Sequence, residues 1–159
     1  MNVLGVSEGF HDAGICLLRN DRIHFASHSE RHSQKKGDKW AHPTQLPISK
    51  INKPDIIAYY EKPFRKNLRR IYAGQKWQKP RRKYDAYFGH HECHAAAGYY
   101  TSPFDECNVL VIDAIGEWDT MSIWKCKNDS MKKIRSWKYP HSLGLLYSAI
   151  TQRIGLKPN

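Results

Sequence analysis

The chain opens twice in the same way. Asn2-Val3-Leu4 recurs as Asn108-Val109-Leu110, and each triplet begins an apolar strand that is followed by a glycine-bearing turn and two more strands. The first set reads as strands at Asn2–Ser7, Ala13–Leu18 and Ile23–His28, with a turn over Glu8–Phe10 and a polar hairpin at Arg19–Arg22. The second reads as Val109–Asp113, Met121–Cys126 and Lys132–Tyr139, with turns at Gly116 and Asn128–Ser130. Two three-stranded meanders with matching openings predict an internal duplication.

Between the meanders, Ser29–Trp40 reads as a polar loop, Pro43–Ile51 as a short helix and Asp55–Tyr60 as a strand. Pro63–Ala73 reads as a helix, with Phe64, Leu68, Ile71 and Tyr72 at helical spacing. Tyr84–Phe88 reads as a strand. His90–Tyr100 reads as a helix, because Ala95–Ala97 are strong helix formers and no breaker intervenes before Pro103. A last helix follows Ser142-Leu143-Gly144. The alternation predicts an α/β chain in two parts: residues 1–104, a first lobe that includes the HxxxH helix, and residues 105–159, the start of a second. The second meander has only one helix after it, so that lobe is expected to be incomplete. Its Val109, Val111, Ile123 and Ile134 are then expected to lack cover on one side, as in a truncated or split chain or one subunit of an assembly.

A hydrophobic fraction of 40% excludes a disordered composition. The net charge of +11 favours phosphate-bearing ligands, nucleic acid or anionic surfaces without choosing among them. Ten of the 26 Lys and Arg residues fall between Lys62 and Lys83, with no acid and with Tyr72 and Trp77 interleaved. Such a stretch suits neutralising phosphates and stacking on bases; it equally suits a solvated basic helix and loop. The four cysteines form no CxxC pair, the start does not resemble a signal peptide, and no apolar run is long enough for a bilayer. These features predict a soluble, cytoplasmic protein with free thiols and no membrane partner.

His90 and His94 are four apart, which on a helix puts both imidazoles on one face, near enough to share a metal ion. Taken alone, such a pair is more often a solvated face. Asp113 adds a carboxylate at the end of a buried strand, where α/β folds bind ligands, although a turn-forming aspartate has the same signature. Two histidines and a carboxylate make a three-ligand site with open positions, suited to Fe, Mn or Zn. His91 falls on another face and is not read as a ligand. His11 and Asp12 lie in the first glycine turn, where a histidine serves as a general base or simply faces water. Ser142 and Gly144 stand at a helix start, a setting for phosphate or for an ordinary N-cap. Lys35 and Lys36 meet phosphate or solvent.

Five segments then occur in a familiar order: Phe10-His11-Asp12-Ala13; Glu30-Arg31 followed by Lys35-Lys36; His90-His91-Glu92-Cys93-His94-Ala95; Val111-Ile112-Asp113-Ala114-Ile115-Gly116-Glu117-Trp118; and Pro140-His141-Ser142-Leu143-Gly144-Leu145-Leu146-Tyr147. The set resembles the amino-terminal part of the carbamoyltransferases of nodulation-factor and antibiotic tailoring. That resemblance implies a duplicated ribonuclease-H-like fold of the actin-like ATPase superfamily. It implies metal ligation by His90, His94 and Asp113, with His11 as the base that deprotonates the acceptor hydroxyl. It also implies a nucleotide and carbamoyl site drawing on Asp12, Lys36, Gly116, Ser142 and Gly144. ATP and carbamoyl phosphate would be co-substrates, converted to carbamoyl adenylate before transfer to a small-molecule hydroxyl. Ala114 departs from the family's usual glycine after the metal aspartate. The competing readings are a basic nucleic-acid-binding protein and a non-catalytic half that docks on a separately encoded second half.

Overall fold

The computed structural model describes residues 1–42 and 54–158, so the helix expected at Pro43–Ile51 lies outside the described residues. The chain is α/β and divides into two compact units: Met1–Pro63 with Lys76–Phe88, and Phe64–Gln75 with Gly89–Asn159.

The first unit is built on a five-stranded mixed sheet. Strands β1 (Asn2–Ser7), β2 (Gly14–Arg19) and β3 (Arg22–His28) form an antiparallel meander. Strands β4 (Ile56–Tyr59) and β5 (Ala86–Tyr87) add in parallel on the far side of β1, giving the order β3-β2-β1-β4-β5. Period-two alternation turns Leu4, Val6, Ile15 and Leu17 inward, where they pack with Tyr59 and Tyr84. The stretch expected as a plain loop after β3 contains a four-residue helix, α1 (Glu30–Ser33), closed by His32 and Ser33 amides on the Ser29 carbonyl.

This core also holds a carboxylate. Glu8 is 2% exposed, and its Oε1 accepts from the Tyr84 hydroxyl at 2.6 Å while its Oε2 accepts from the Ala41 amide at 3.1 Å. The Arg82 guanidinium stands 3.5 Å from Oε1, and Tyr59 donates to the Glu8 carbonyl at 2.6 Å. A buried charge with this many partners is tolerated where a lone one is not.

The second unit contains helices α2 (Pro63–Tyr72), α3 (His90–Tyr100) and α4 (Leu143–Arg153) with the antiparallel meander β6 (Glu106–Gly116), β7 (Asp119–Lys127) and β8 (Ser130–Lys138). Ala95 and Tyr99 of α3 pack on Val111, Trp124 and Cys126, with Val109 at the margin. The HxxxH helix therefore packs within the unit that holds the second meander. The expectation that Val109, Val111, Ile123 and Ile134 lack cover holds only in part: Ile134 is exposed and Ile123 partly so, whereas α3 covers Val109 and Val111, and on β6 it is Leu110 and Ile112, on the opposite face, that are exposed.

Both meanders turn on the same dipeptide. Asn20-Asp21 links Arg19 to Arg22, and Asn128-Asp129 links Lys127 to Ser130, with positive φ at all four residues. That is the two-residue geometry whose twist matches antiparallel strands, and Asn and Asp tolerate it. Helix α2 is turned inside out. Lys66 and Asn67 are buried, while Phe64, Leu68, Ile71 and Tyr72 are exposed. Its anchors are polar: Arg69 donates to the Ile115 carbonyl at 2.6 Å, and Arg65 lies 3.7 Å from the buried Glu117 carboxylate.

Candidate metal centre

Helix α3 starts after extended Gly89, whose amide donates to Glu92 Oε2 at 3.0 Å. This fixes the first turn, from which His90 and His94 project on one face. Their Nε2 atoms are 3.0 Å apart, and His90 Nε2 is 2.7 Å from Asp113 Oδ2. One ligand atom from each residue falls within a set no wider than 4.8 Å. Donors around a metal at ~2 Å from each are themselves roughly 3 Å apart, so the trio fits a divalent ion.

The electrostatics favour ligand-ready forms. Burial alone would raise the Asp113 carboxyl, but the hydrogen bond and charge of His90, the Ala114 amide and His94 outweigh it and hold the group at about 2. Asp113 is an anion at neutral pH. Loss of hydration lowers the His94 imidazole, His90 lowers it further, and Asp113 opposes both. A histidine that resists protonation presents a lone pair to a metal over a wider pH range.

Asp113 does not end its strand. β6 continues to Gly116, with a break in register between Ile112 and Gly116, and the turn falls at Glu117–Trp118, where Glu117 has φ 58°. The turn expected at Gly116 is thus corrected. Glycine is needed there for space: a Cβ would come 2.3 Å from His90 Cδ2 and 2.7 Å from His91 Cδ2. Beyond Asp113, Ser142 Oγ lies 2.7 Å from the Ala114 carbonyl, and Gly144 abuts the Asp113–Ala114 backbone.

His11 and Asp12 lie in the first unit, in the turn after Glu8. His11 Nδ1 is 2.5 Å from Asp12 Oδ2, and both side chains face water. Asp12 adopts φ 51° and shares a solvated cluster with His28 and Glu30. Lys35 and Lys36 are exposed; Lys36 flanks a shallow depression with Glu30, Arg31 and Gln34.

One part of the centre escaped the sequence reading. His91 is 3% exposed, with Nδ1 2.8 Å from Ser122 Oγ, which also accepts from Trp124 Nε1 at 2.8 Å. This buried relay pins α3 to β7. A serine and a tryptophan two apart on one strand share a face, and that alternation was its only signal.

A family model described as "Carbamoyltransferase N-terminus" matches residues 55–159. The uncharacterized protein sll1178 of Synechocystis sp. is 32% identical over 202 residues, covering 99% of this chain and 32% of the relative. The uncharacterized protein MJ1051 of Methanocaldococcus jannaschii is 29% identical over 160 residues, covering 98% of this chain and 30% of the relative. The chain spans about a third of the length of these relatives.

Proposed function

From the premise that this chain belongs to the carbamoyltransferase N-terminus family, we propose that it binds a divalent metal through His90, His94 and Asp113 and serves O-carbamoyl transfer. The observation that carries the reading is the convergence of those three donors at metal-ligand spacing. The proposed donor is carbamoyl adenylate, made from carbamoyl phosphate and ATP, and the acceptor is a small-molecule hydroxyl. Iron, manganese and zinc suit the donor set, and a bound ion supplies Lewis-acid polarisation of an oxygen ligand.

The protein's own part is proton transfer and positioning. His11 Nδ1 is engaged by Asp12 Oδ2, which leaves Nε2 to accept the proton of an acceptor hydroxyl. The hydroxyl oxygen then forms the C–O bond to the carbamoyl carbon, and the bond to the adenylate oxygen breaks. Lys36 is proposed to face the phosphates, and Asp12 to hold the His11 tautomer.

We place the fold in the duplicated ribonuclease-H-like, actin-like class. The sheet order β3-β2-β1-β4-β5, with an antiparallel meander and two parallel strands, supports that reading, as does the second meander with its identical Asn-Asp turn. The proposed partner is a polypeptide equivalent to the rest of the relatives' length. Exposed Leu110 and Ile112 on β6 and Leu146, Tyr147 and Ile150 on α4 give it an apolar surface to cover. The nucleic-acid reading gains less support, since Arg65, Arg69, Arg81 and Arg82 are engaged by Glu117, Ile115, Trp40 and Glu8.

Metal analysis of the purified protein beside His90→Ala, His94→Ala and Asp113→Asn tests the centre. Each variant is expected to retain far less metal than the parent, and equal contents in all four overturn the assignment. Carbamoyl transfer, assayed together with the polypeptide that supplies the rest of the family's length, should fall about 10²–10⁴-fold in His11→Ala.

A further inference from the structure

Helix α4 begins directly against the metal carboxylate's own peptide. Ser142 caps the helix by accepting from the Leu145 amide at 3.0 Å. The same hydroxyl lies 2.7 Å from the Ala114 carbonyl and 3.3 Å from the Asp113 carbonyl. A serine has one proton to donate, and the nearer Ala114 oxygen receives it.

Gly144 closes the contact. A Cβ there would stand 2.6 Å from the Ala114 nitrogen and 2.7 Å from the Ala114 Cα and the Asp113 carbonyl oxygen. All three are backbone atoms, which cannot swing aside as a side chain can.

The clamped peptide in turn orients the ligand. The Ala114 amide donates to Asp113 Oδ1 at 2.6 Å, which leaves Oδ2 directed at His90 Nε2. On the other flank the Thr120 hydroxyl donates to the nearer His141 carbonyl, with the Trp137 carbonyl 3.2 Å away, so the segment leading into Ser142 is tied to β7.

We infer that Ser142 and Gly144 are positioning residues for the metal centre: they fix the Asp113–Ala114 peptide, and through its amide the rotamer of the Asp113 carboxylate. The inference rests on the metal reading above and extends it. Groups that orient a metal ligand from outside its coordination sphere change affinity by about 10–100-fold when removed. It follows that metal loading and docking of α4 are linked, since each favours the same arrangement of Asp113.

Titration with cobalt(II), followed by its visible d–d absorption, tests this. Ser142→Ala is expected to bind cobalt about 10–100-fold more weakly and to show altered bands even at saturation. Ser142→Thr, which keeps both donor and cap, should restore the parent's affinity and spectrum. A merely structural role for Ser142 would lower melting temperature without moving the saturated spectrum. Gly144→Ala should behave as Ser142→Ala does; if it fails to fold, the serine pair still decides. Parent-like affinity and bands in Ser142→Ala overturn the positioning role while leaving the centre intact. A parent protein that binds cobalt no better than His90→Ala overturns the centre, and the positioning role with it.

Discussion

Tyr84 donates its phenol to Glu8 Oε1 at 2.6 Å, and both residues are buried. Hydrogen bonds to a charged group contribute about 1.5–3 kcal/mol. Tyr84→Phe should therefore destabilise the protein by about that much, read as a shifted midpoint in urea unfolding. A change below about 0.5 kcal/mol would show that Arg82 and the Ala41 amide satisfy Glu8 without the phenol.

Gly116 leaves no room for a methyl group between the His90 and His91 rings. Overpacking of this kind costs about 1–3 kcal/mol, and here the displaced groups include His90, one of the proposed metal ligands. Gly116→Ala should lose both stability and metal. Gly5→Ala is the matched control, since its nearest neighbour would be the Cys16 carbonyl at 3.7 Å. Equal metal content in the two variants would sink the argument.

Acid should destabilise the metal-free protein in two stages. Burial lowers the His91 imidazole, with Asp119 opposing and His90 assisting, and lost hydration lowers His94 likewise. With folded pKa values below unfolded ones, the unfolded chain takes up protons first as pH falls below about 6.5, and stability declines from there. Asp113 adds a later loss, beginning near its unfolded value of about 3.9 and ending as pH falls through about 2. A His91→Gln, His94→Gln double variant should flatten the first stage in unfolding curves taken from pH 8 to 5. A slope unchanged by those substitutions would assign it elsewhere.

Leu110 and Ile112 present 59% and 51% of their surface to water on the side of β6 away from α3. Neighbouring apolar residues left in this state favour association. The purified chain should sediment as a concentration-dependent oligomer, and a Leu110→Thr, Ile112→Thr variant should shift towards monomer while keeping β propensity. A parent that remains monomeric at all concentrations would refute this use of the face.

The strands and the HxxxH helix, with its i,i+4 histidine pair, were legible because their signals are local: alternation, apolar runs and alanines. What the sequence concealed depends on which face meets a neighbour. β6 is apolar at four consecutive positions, from Val109 to Ile112, so period alone could not tell Val111 from Leu110. Gly116 reads as a turn by composition, yet its use is room for two imidazoles, which no single-residue propensity encodes. His91 was placed on another face correctly, but its bond to Ser122 joins residues far apart in sequence. The polar burial of Lys66 and Asn67 in α2 likewise runs against any reading by hydrophobic stripe.

The sheet order of the first unit bears on how the nascent chain handles itself on the ribosome. β1, β2 and β3 emerge together and pair locally, but β1 is destined for the interior of the sheet and its second neighbour, β4, is made only much later. Until Ile56–Tyr59 arrives, β1 offers an open edge carrying Leu4 and Val6. Synthesis thus passes through an interval in which the central strand of the sheet is also its open edge, and the pace of translation between β3 and β4 becomes a determinant of yield.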